Sequence, residues 1–321
     1  MIGISLRQLE VFVAIASEGS VRAAAERLHL SQPALSMALA ELESQLGVDL
    51  FERKRGRLYL GERGREALSL AQEILERTAE LKRGMQGHGA VLEGELRLGA
   101  SNTIGNYMVG DLLGAFIAEH PKVAIRLAVE NTDTIVKGVL DHALDLGCVE
   151  GTVTHVDIQV RPWREDELVI CTRPDHELAK RKRLRAEDFA GARWILREGG
   201  SATRTFSERI LATLPPGAAV LELGQSEAIK QAVIAGLGIA CLPAVAVADA
   251  VKARRLMVLP TPFLDLRRRL SWVLRRSKYH GALVGAFLDS AAAIMPPTPA
   301  PHRRQSSRPP AATARPRCGR G

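Results

Sequence analysis

Three short helices are predicted at the start of the chain, because apolar residues recur there at three- and four-residue spacing. The first helix carries its apolar face on Leu6, Leu9, Phe12, Val13 and Ala16. Gly19 stops that helix, and Ser20 can cap a short, alanine-rich second one. A third helix begins after Ser31, a typical N-cap, with Pro33 in its first turn. Its apolar side holds Leu35, Leu39, Leu42 and Leu46, and Gly47 ends it.

The opposite side of the third helix carries small polar groups and an amide in place of the Glu and Lys of an ordinary exposed helix. These residues are Ser31, Gln32, Pro33, Ser36, Met37 and Ala40. Downstream, two short apolar runs flank the basic stretch Lys54–Arg57, which predicts a hairpin with a basic tip. Three helices and such a hairpin are typical of a winged helix-turn-helix, whose third helix enters the major groove. Gln32 could read a base edge, and Ser31 and Ser36 could bind phosphates. The pattern alone also allows a three-helix interaction module that does not touch DNA.

A longer, charged helix is predicted from about Gly61 to Met85. Its apolar stripe is too narrow for a core of its own, which favours a seam with a second copy of the helix in a dimer. A solvent-exposed spacer is the alternative. A glycine-rich, hinge-like stretch follows, marked by Gly84, Gly87, Gly89 and Gly94.

Strands and helices alternate over residues 95–295, which predicts a parallel α/β sheet with right-handed crossovers. The first unit has strands around residues 96–100, 123–129 and 145–148 and helices over 105–119 and 135–144. In the second unit, strands are predicted at 168–172, 194–196 and 238–242 and helices near 203–214 and 227–235. A late strand over 270–275 and a closing helix over 280–294 complete the pattern.

Polar loops follow three of these strands and open helices. They contain Ser101, Asn102 and Thr103; Thr132; and Ser201, Thr203 and Arg204. Ligands of open α/β sheets bind beyond the carboxyl ends of the strands, and helix N-termini attract anions. Each loop alone could be an ordinary helix cap. Together the loops predict a cleft for a small anionic effector, with Arg204 neutralising its charge.

The charge is unevenly distributed along the 321 residues. The formal net charge is +8, yet residues 1–90 hold 12 basic and 12 acidic side chains. Residues 91–295 hold 26 and 24, and residues 296–321 hold six arginines and no acid. That last stretch is rich in Pro, Ala and Arg and predicts a disordered basic tail.

No chemical motif indicates an enzyme. The four cysteines, Cys148, Cys171, Cys241 and Cys318, form no CxxC pair, which fits a reducing cytosol and buried, inert thiols. We find no nucleophile elbow, P-loop, zinc motif or dinucleotide fingerprint, so we expect no cofactor and no metal. Neither a signal peptide nor a membrane span is visible, so a cytoplasmic protein is expected.

The first 65 residues closely resemble the LysR-type transcriptional regulators. The motifs that carry the resemblance are Leu6-Arg7-Gln8-Leu9, Ala23-Ala24-Ala25-Glu26-Arg27-Leu28, Ser31-Gln32-Pro33-Ala34-Leu35-Ser36 and Leu50-Phe51-Glu52-Arg53. The resemblance implies a homodimer paired through the long helix and a tetramer on DNA. It also implies a periplasmic-binding-protein-like effector domain whose pocket includes Ser101, Thr103, Thr132, Ser201 and Thr203. The loop texture is similar to the branch that handles cysteine biosynthesis and sulfite.

The expected fold class is α plus α/β, in four parts. They are a winged helix-turn-helix (1–60), a linker helix and hinge (61–92), a two-lobed effector domain (93–295) and the tail (296–321). Lobe 1 would take about 93–163 and 266–295, and lobe 2 about 164–265. The residues predicted to contact double-stranded DNA are Ser20, Ser31, Gln32, Pro33, Ser36, Arg53, Arg55 and Arg57. A solute-binding module without DNA function is the alternative.

Overall fold

The computed structural model describes residues 3–54, 57–85, 91–276 and 279–294. The predicted tail over 296–321 therefore lies outside the described residues. At the N-terminus, three helices precede a two-stranded hairpin. They are α1 (Leu6–Glu18), α2 (Val21–Leu28), α3 (Gln32–Leu46), β1 (Phe51–Lys54) and β2 (Arg57–Leu60).

Local capping fixes the ends of these helices, as the sequence predicts. The hydroxyls of Ser20 and Ser31 accept hydrogen bonds from backbone N–H groups three residues on, which begins α2 and α3. Gly19 and Gly47 end α1 and α3 in the left-handed conformation. The apolar faces then pack into one core, in which the Phe12 and Phe51 rings meet edge to face. The three-helix arrangement is therefore confirmed.

The linker helix α4 (Glu62–Met85) serves two neighbours. Leu68 and Ala71 complete the N-terminal core, whereas Leu70 and Leu81 are exposed. Farther along, Glu76 accepts a hydrogen bond from Ala282 N (3.2 Å), at the first residue of the closing helix α11 (Ala282–Ile294). The helix thus connects the N-terminal module directly to the C-terminal domain.

Lobe 1 is built on three parallel strands in the order β4–β3–β5. They are β3 (Gly94–Ser101), β4 (Val123–Glu130) and β5 (Leu146–Glu150). The single helix predicted over 105–119 is wrong: the chain forms α5 (Asn102–Tyr107) and α6 (Val109–Glu119), separated at Met108. The two helices have different partners, since α5 lies on β4 and α6 packs against α11. Helix α7 (Thr132–Leu140) begins earlier than predicted because Asn131 caps it.

Two long antiparallel strands lie where the lobes meet, and the first of them continues from lobe 1 into lobe 2. They are β6 (Ile158–Thr172) and β11 (Arg267–Arg275); all of β11 pairs with residues 158–167 of β6, with an irregularity between Leu270 and Ser271. In lobe 1, β11 pairs with β5; in lobe 2, β6 pairs with β9 (Ala240–Pro243) and β10 (Met257–Val258). The apolar pattern predicted only residues 168–172 of β6 and 270–275 of β11.

Lobe 2 surrounds a smaller parallel pair, β7 (Arg193–Arg197) and β8 (Ala218–Leu223). Helices α8 (Ala202–Leu211), α9 (Ser226–Ile234) and α10 (Ala244–Lys252) cover these strands. The apolar pattern did not predict β8, β10 or α10. None of the described helices combines the length and the hydropathy that a transmembrane span requires.

Candidate nucleic-acid interface and interlobe cleft

Helix α3 presents two unlike faces. Leu35 and Leu42 are fully buried, whereas Gln32, Ser36 and Met37 are exposed. Ser31 and Pro33 are exposed at the start of the helix, and Ser20 is half-buried at the start of α2. The structure thus places the predicted base-reading and phosphate-binding groups of α3 together on one uncovered surface.

The hairpin is held against α3 by a carboxylate. Glu43 accepts hydrogen bonds from the N–H groups of Leu50 (2.8 Å) and Phe51 (3.3 Å). The backbone of Gly64 lies so close to this turn that an added Cβ would stand 2.1 Å from Leu50 O. Of the predicted contact residues, Arg55 lies outside the described residues, and for Arg53 and Arg57 only the backbone is described.

Buried hydroxyls gather at the carboxyl ends of neighbouring strands in lobe 1. Ser101 is the last residue of β3 and Thr103 follows it, and Thr132 follows β4, which pairs in parallel with β3. Facing them in lobe 2 are Ser201, the N-cap of α8, and Thr203 in its first turn. All five of these side chains are buried.

The lobes touch at this point. Asp133 N donates to Gly200 O (3.2 Å), and an added Cβ on Gly151 would lie 3.0 Å from Ala202 Cβ. Gly200 adopts φ +82°, so glycine suits this close approach. At the rim of the cleft, the Tyr107 hydroxyl donates to Glu227 (3.4 Å). Burial and this carboxylate raise the pKa of Tyr107 to about 12.

One arginine that sequence analysis missed lies in the middle of the cleft. The guanidinium of Arg268 donates to the hydroxyls of Thr203 (2.8 Å) and Thr103 (3.0 Å). Its Nε donates to Asp166 (2.6 Å), and Glu150 lies 3.7 Å from Nη2. The only available signal was period-two alternation continued backwards from Leu270, which places Arg268 on the inward face of β11.

The structure does not bring Arg204 to the threonines. Its guanidinium donates to Glu208 (2.6 Å) and Glu222 (3.0 Å), and its backbone N–H is bound by the Ser201 hydroxyl. These two carboxylates compensate its charge away from Thr203. The cation next to Thr103 and Thr203 is Arg268.

Three buried polar atoms of the cleft have no hydrogen-bond partner among the residues that the structure describes: Ser101 Oγ, Asn102 Oδ1 and Thr132 Oγ1. A buried polar atom without a partner costs about 1–3 kcal/mol, so a cluster of them indicates a place prepared for another polar molecule. The Thr103 hydroxyl accepts from Arg268, and within the described chain it donates to no group. The unsatisfied groups are therefore mainly hydroxyl donors beside a cation.

Neither metal nor thiol chemistry is indicated at this site. In the described ranges, no group of His, Cys, Asp and Glu could hold a metal ion. Cys148, Cys171 and Cys241 are buried. Burial raises the pKa of Cys171 to about 12 and that of Cys241 to about 11, so both stay protonated thiols at neutral pH.

Comparison with known proteins identifies both modules. Residues 6–65 match the profile "Bacterial regulatory helix-turn-helix protein, lysR family", and residues 89–295 match "LysR substrate binding domain". The chain belongs to the LysR family of transcriptional regulators. As regulators, LysR proteins act by binding DNA through the N-terminal module, and the α3 face described above lies in that module.

Relatives align over most of their length. The Escherichia coli protein named "Uncharacterized HTH-type transcriptional regulator YeiE" is 39% identical over 287 residues, covering 89% of this chain and 96% of YeiE. The "RuBisCO operon transcriptional regulator" of Allochromatium vinosum is 33% identical over 290 residues, covering 89% and 95%. Neither name refers to sulfur metabolism, so the expected placement in the cysteine and sulfite branch has no support here.

Solved LysR structures share the fold. Full-length OxyR from Pseudomonas aeruginosa, carrying one cysteine substitution, has a TM-score of 0.73 at 24% identity, covering 90% of this chain and 95% of that one. The regulatory domain of CcmR from Synechocystis PCC6803, solved in complex with 2-PG, has a TM-score of 0.60 at 28% identity. It covers 64% of this chain and all of that one.

Proposed function

We propose that this LysR-type regulator acts in the cytoplasm and is controlled by a small oxyanion bound between its two lobes. The carrying observation is the convergence of buried hydroxyl groups and one arginine in the cleft. Hydroxyl and guanidinium N–H groups are the donors that carboxylate, phosphate or sulfur oxyanions require. The effector-contacting set is Ser101, Asn102, Thr103, Thr132, Ser201 and Thr203, joined by Arg268.

We assign one role to each of the four parts expected from the sequence. Residues 1–60 read DNA, 61–92 link and pair two chains, 93–295 bind the effector, and 296–321 form a basic tail. The exposed apolar stripe of α4, with Leu70, Ile74 and Leu81, is the surface we assign to the homodimer. Dimers would associate further into a tetramer on promoter DNA. A pure solute-binding role is not favoured, since it leaves the helix-turn-helix unused.

A ligand screen tests the effector class. Thermal unfolding is measured with sulfate, sulfite, inorganic phosphate and 2-PG at matched ionic strength, because a ligand of the native state raises the melting temperature. We expect at least one oxyanion to stabilise the wild type and not Thr103→Val, while both bind DNA. If no oxyanion acts, or if the variant responds like the wild type, the oxyanion proposal fails.

A salt titration tests whether the basic hairpin formed by β1 and β2, the wing of the helix-turn-helix module, contacts DNA. The double variant Arg55→Gln, Arg57→Gln should bind a fragment from the region upstream of the gene less tightly whatever its sequence. The slope of log affinity against log salt should fall by about 2, close to one per phosphate contact. A matched double variant, Lys252→Gln with Arg255→Gln, removes two exposed charges of lobe 2, outside the N-terminal module. If the two double variants gave equal slopes of log affinity against log salt, the wing would not be part of the DNA interface.

A further inference from the structure

The anchor of Arg268 belongs to both lobes at once. Arg268 on β11 pairs in register with Asp166 on β6, close to the point where β6 passes from lobe 1 into lobe 2. Its Nε donates to Asp166 at 2.6 Å, and only about 2% of the Arg268 side chain is exposed. A short, buried ion pair in a strand ladder fixes the position of the guanidinium.

The two Nη groups of this guanidinium join the lobes. Nη2 donates to Thr103 of lobe 1 (3.0 Å) and Nη1 to Thr203 of lobe 2 (2.8 Å). Both acceptors are neutral hydroxyls, whereas the nearest other carboxylate, Glu150, is 3.7 Å from Nη2, beyond hydrogen-bond distance. Asp166 and Glu150 compensate the charge of Arg268, but its two Nη groups bind only neutral hydroxyls and remain hydrogen-bond donors that an oxygen of an anion could take over.

From this geometry we infer that Arg268 is an interlobe latch and the residue that selects an oxyanion. The inference rests on the proposed function, because it names how the same site is regulated. Without effector, Arg268 holds Thr103 and Thr203 together and the lobes stay closed on each other. An entering oxyanion takes the Nη N–H donors, and the two threonine hydroxyls then turn to donate to its oxygens. The effector thus replaces the latch, so that occupancy changes the contact between lobes.

Lysine cannot perform this role. A lysine at 268 keeps the charge beside Asp166, but its single ammonium lacks the planar fork that reaches two hydroxyls while keeping its own anchor. Thr203→Val removes the hydrogen bond from Arg268 Nη1 to the Thr203 hydroxyl without changing the charge or the approximate shape of the side chain. These two variants therefore separate the bridging geometry from the burial of a charge.

Hydrogen exchange of the unliganded protein tests the latch. The probe is the peptide that contains Asp133, whose N–H donates across the cleft to Gly200 O. A hydrogen bond to a charged group is worth about 1.5–3 kcal/mol, so Arg268→Lys and Thr203→Val should speed its exchange by about 10- to 150-fold. Arg204→Lys, on the same helix as Thr203 but paired with Glu208 and Glu222, is the matched control and should exchange as the wild type does.

The latch proposal is wrong if Arg268→Lys and Thr203→Val both exchange at the wild-type rate. It is also wrong if the Arg204→Lys control exchanges as fast as they do. A second arm adds sulfate or 2-PG at ~10 mM, a concentration chosen to approach saturation of a weak site. Exchange of the Asp133 peptide should then change in the wild type and not in Arg268→Lys. If the variants exchange fast but the oxyanions leave exchange in the wild type unchanged, the latch is supported. The proposal that the effector is an oxyanion is then overturned. The two ideas can therefore fail separately.

Discussion

The recognition helix α3 and the interlobe cleft both offer hydroxyl and amide groups, but they are built in opposite ways. Ser31, Gln32 and Ser36 are exposed, and the helix that carries them is fixed by a local cap between Ser31 and Ala34. In the cleft, Thr103 and Thr203 are buried, and Arg268 reaches them across 165 and 65 residues of chain. A surface that binds a large, charged partner can be exposed and formed by one continuous segment of the chain. A pocket for a small ligand must be enclosed, and distant segments supply its walls.

The largest expected effect is in the cleft. Arg268→Met leaves the Asp166 and Glu150 carboxylates buried without their cation, which should lower the free energy of unfolding by about 3–5 kcal/mol. Urea denaturation measures this change. The matched control is Arg269→Met, one residue on along β11 and exposed. A loss below about 1 kcal/mol at position 268, or a similar loss at 269, would show that the buried ion pair is not what separates the cleft from the surface.

On α3, the two faces should respond differently to truncation. Leu42→Ala opens a cavity in the N-terminal core and should cost about 2–5 kcal/mol in unfolding free energy. Met37→Ala, on the exposed face of the same helix, should change stability by no more than about 0.5 kcal/mol. Thermal and urea unfolding give both values. A large stability loss for Met37→Ala would mean that this face is covered, which would weaken its assignment to DNA.

Two histidines offer a pH comparison, since His29 in the N-terminal module and His142 in lobe 1 both adopt a left-handed φ. Burial, with Arg275 and Arg97 nearby, lowers the pKa of His142 to about 4, against about 6.5 in the unfolded chain. The unfolded chain therefore takes up this proton first, and stability should fall by about 3 kcal/mol as the pH drops from about 6.5 to about 4. His142→Asn keeps a residue that tolerates the left-handed conformation and should remove this part of the pH dependence.

His29→Asn is the control for that measurement because His29 is exposed. Denaturation midpoints between about pH 7 and about pH 4 compare the three proteins. If His142→Asn loses stability at acid pH as steeply as the wild type, then His142 is not the group responsible.

The smallest expected effect concerns base selection. Gln32→Ala should reduce discrimination between matched and mismatched promoter sequences by about 1–3 kcal/mol at the base it reads, with less change in binding to nonspecific DNA. Competition binding with single-base variants of the upstream fragment measures this. A uniform loss over all sequences would reassign Gln32 to positioning on the backbone.

Prediction from sequence succeeded where structure is local. Spacing, capping serines and glycine stops located α1 to α4, because those signals act within one or two turns. It failed at the first residues of β6 and of β11, where charged side chains interrupt the apolar pattern. In the run Arg267-Arg268-Arg269, the outer two are exposed and the middle one is buried. Composition alone cannot distinguish them, since it is Asp166 on another strand that compensates the buried charge of Arg268.

By itself, the sequence determined the helix-turn-helix, the long linker helix and the alternation of strands and helices in the C-terminal domain. These follow from apolar periodicity and capping, which depend on neighbouring residues. Only the tertiary structure decided which cation enters the cleft, by pairing Arg204 with carboxylates on α8 and β8 and aligning Arg268 with Asp166. The physical reason is that a buried charge needs a partner, and strand pairing between distant segments determines where that partner lies.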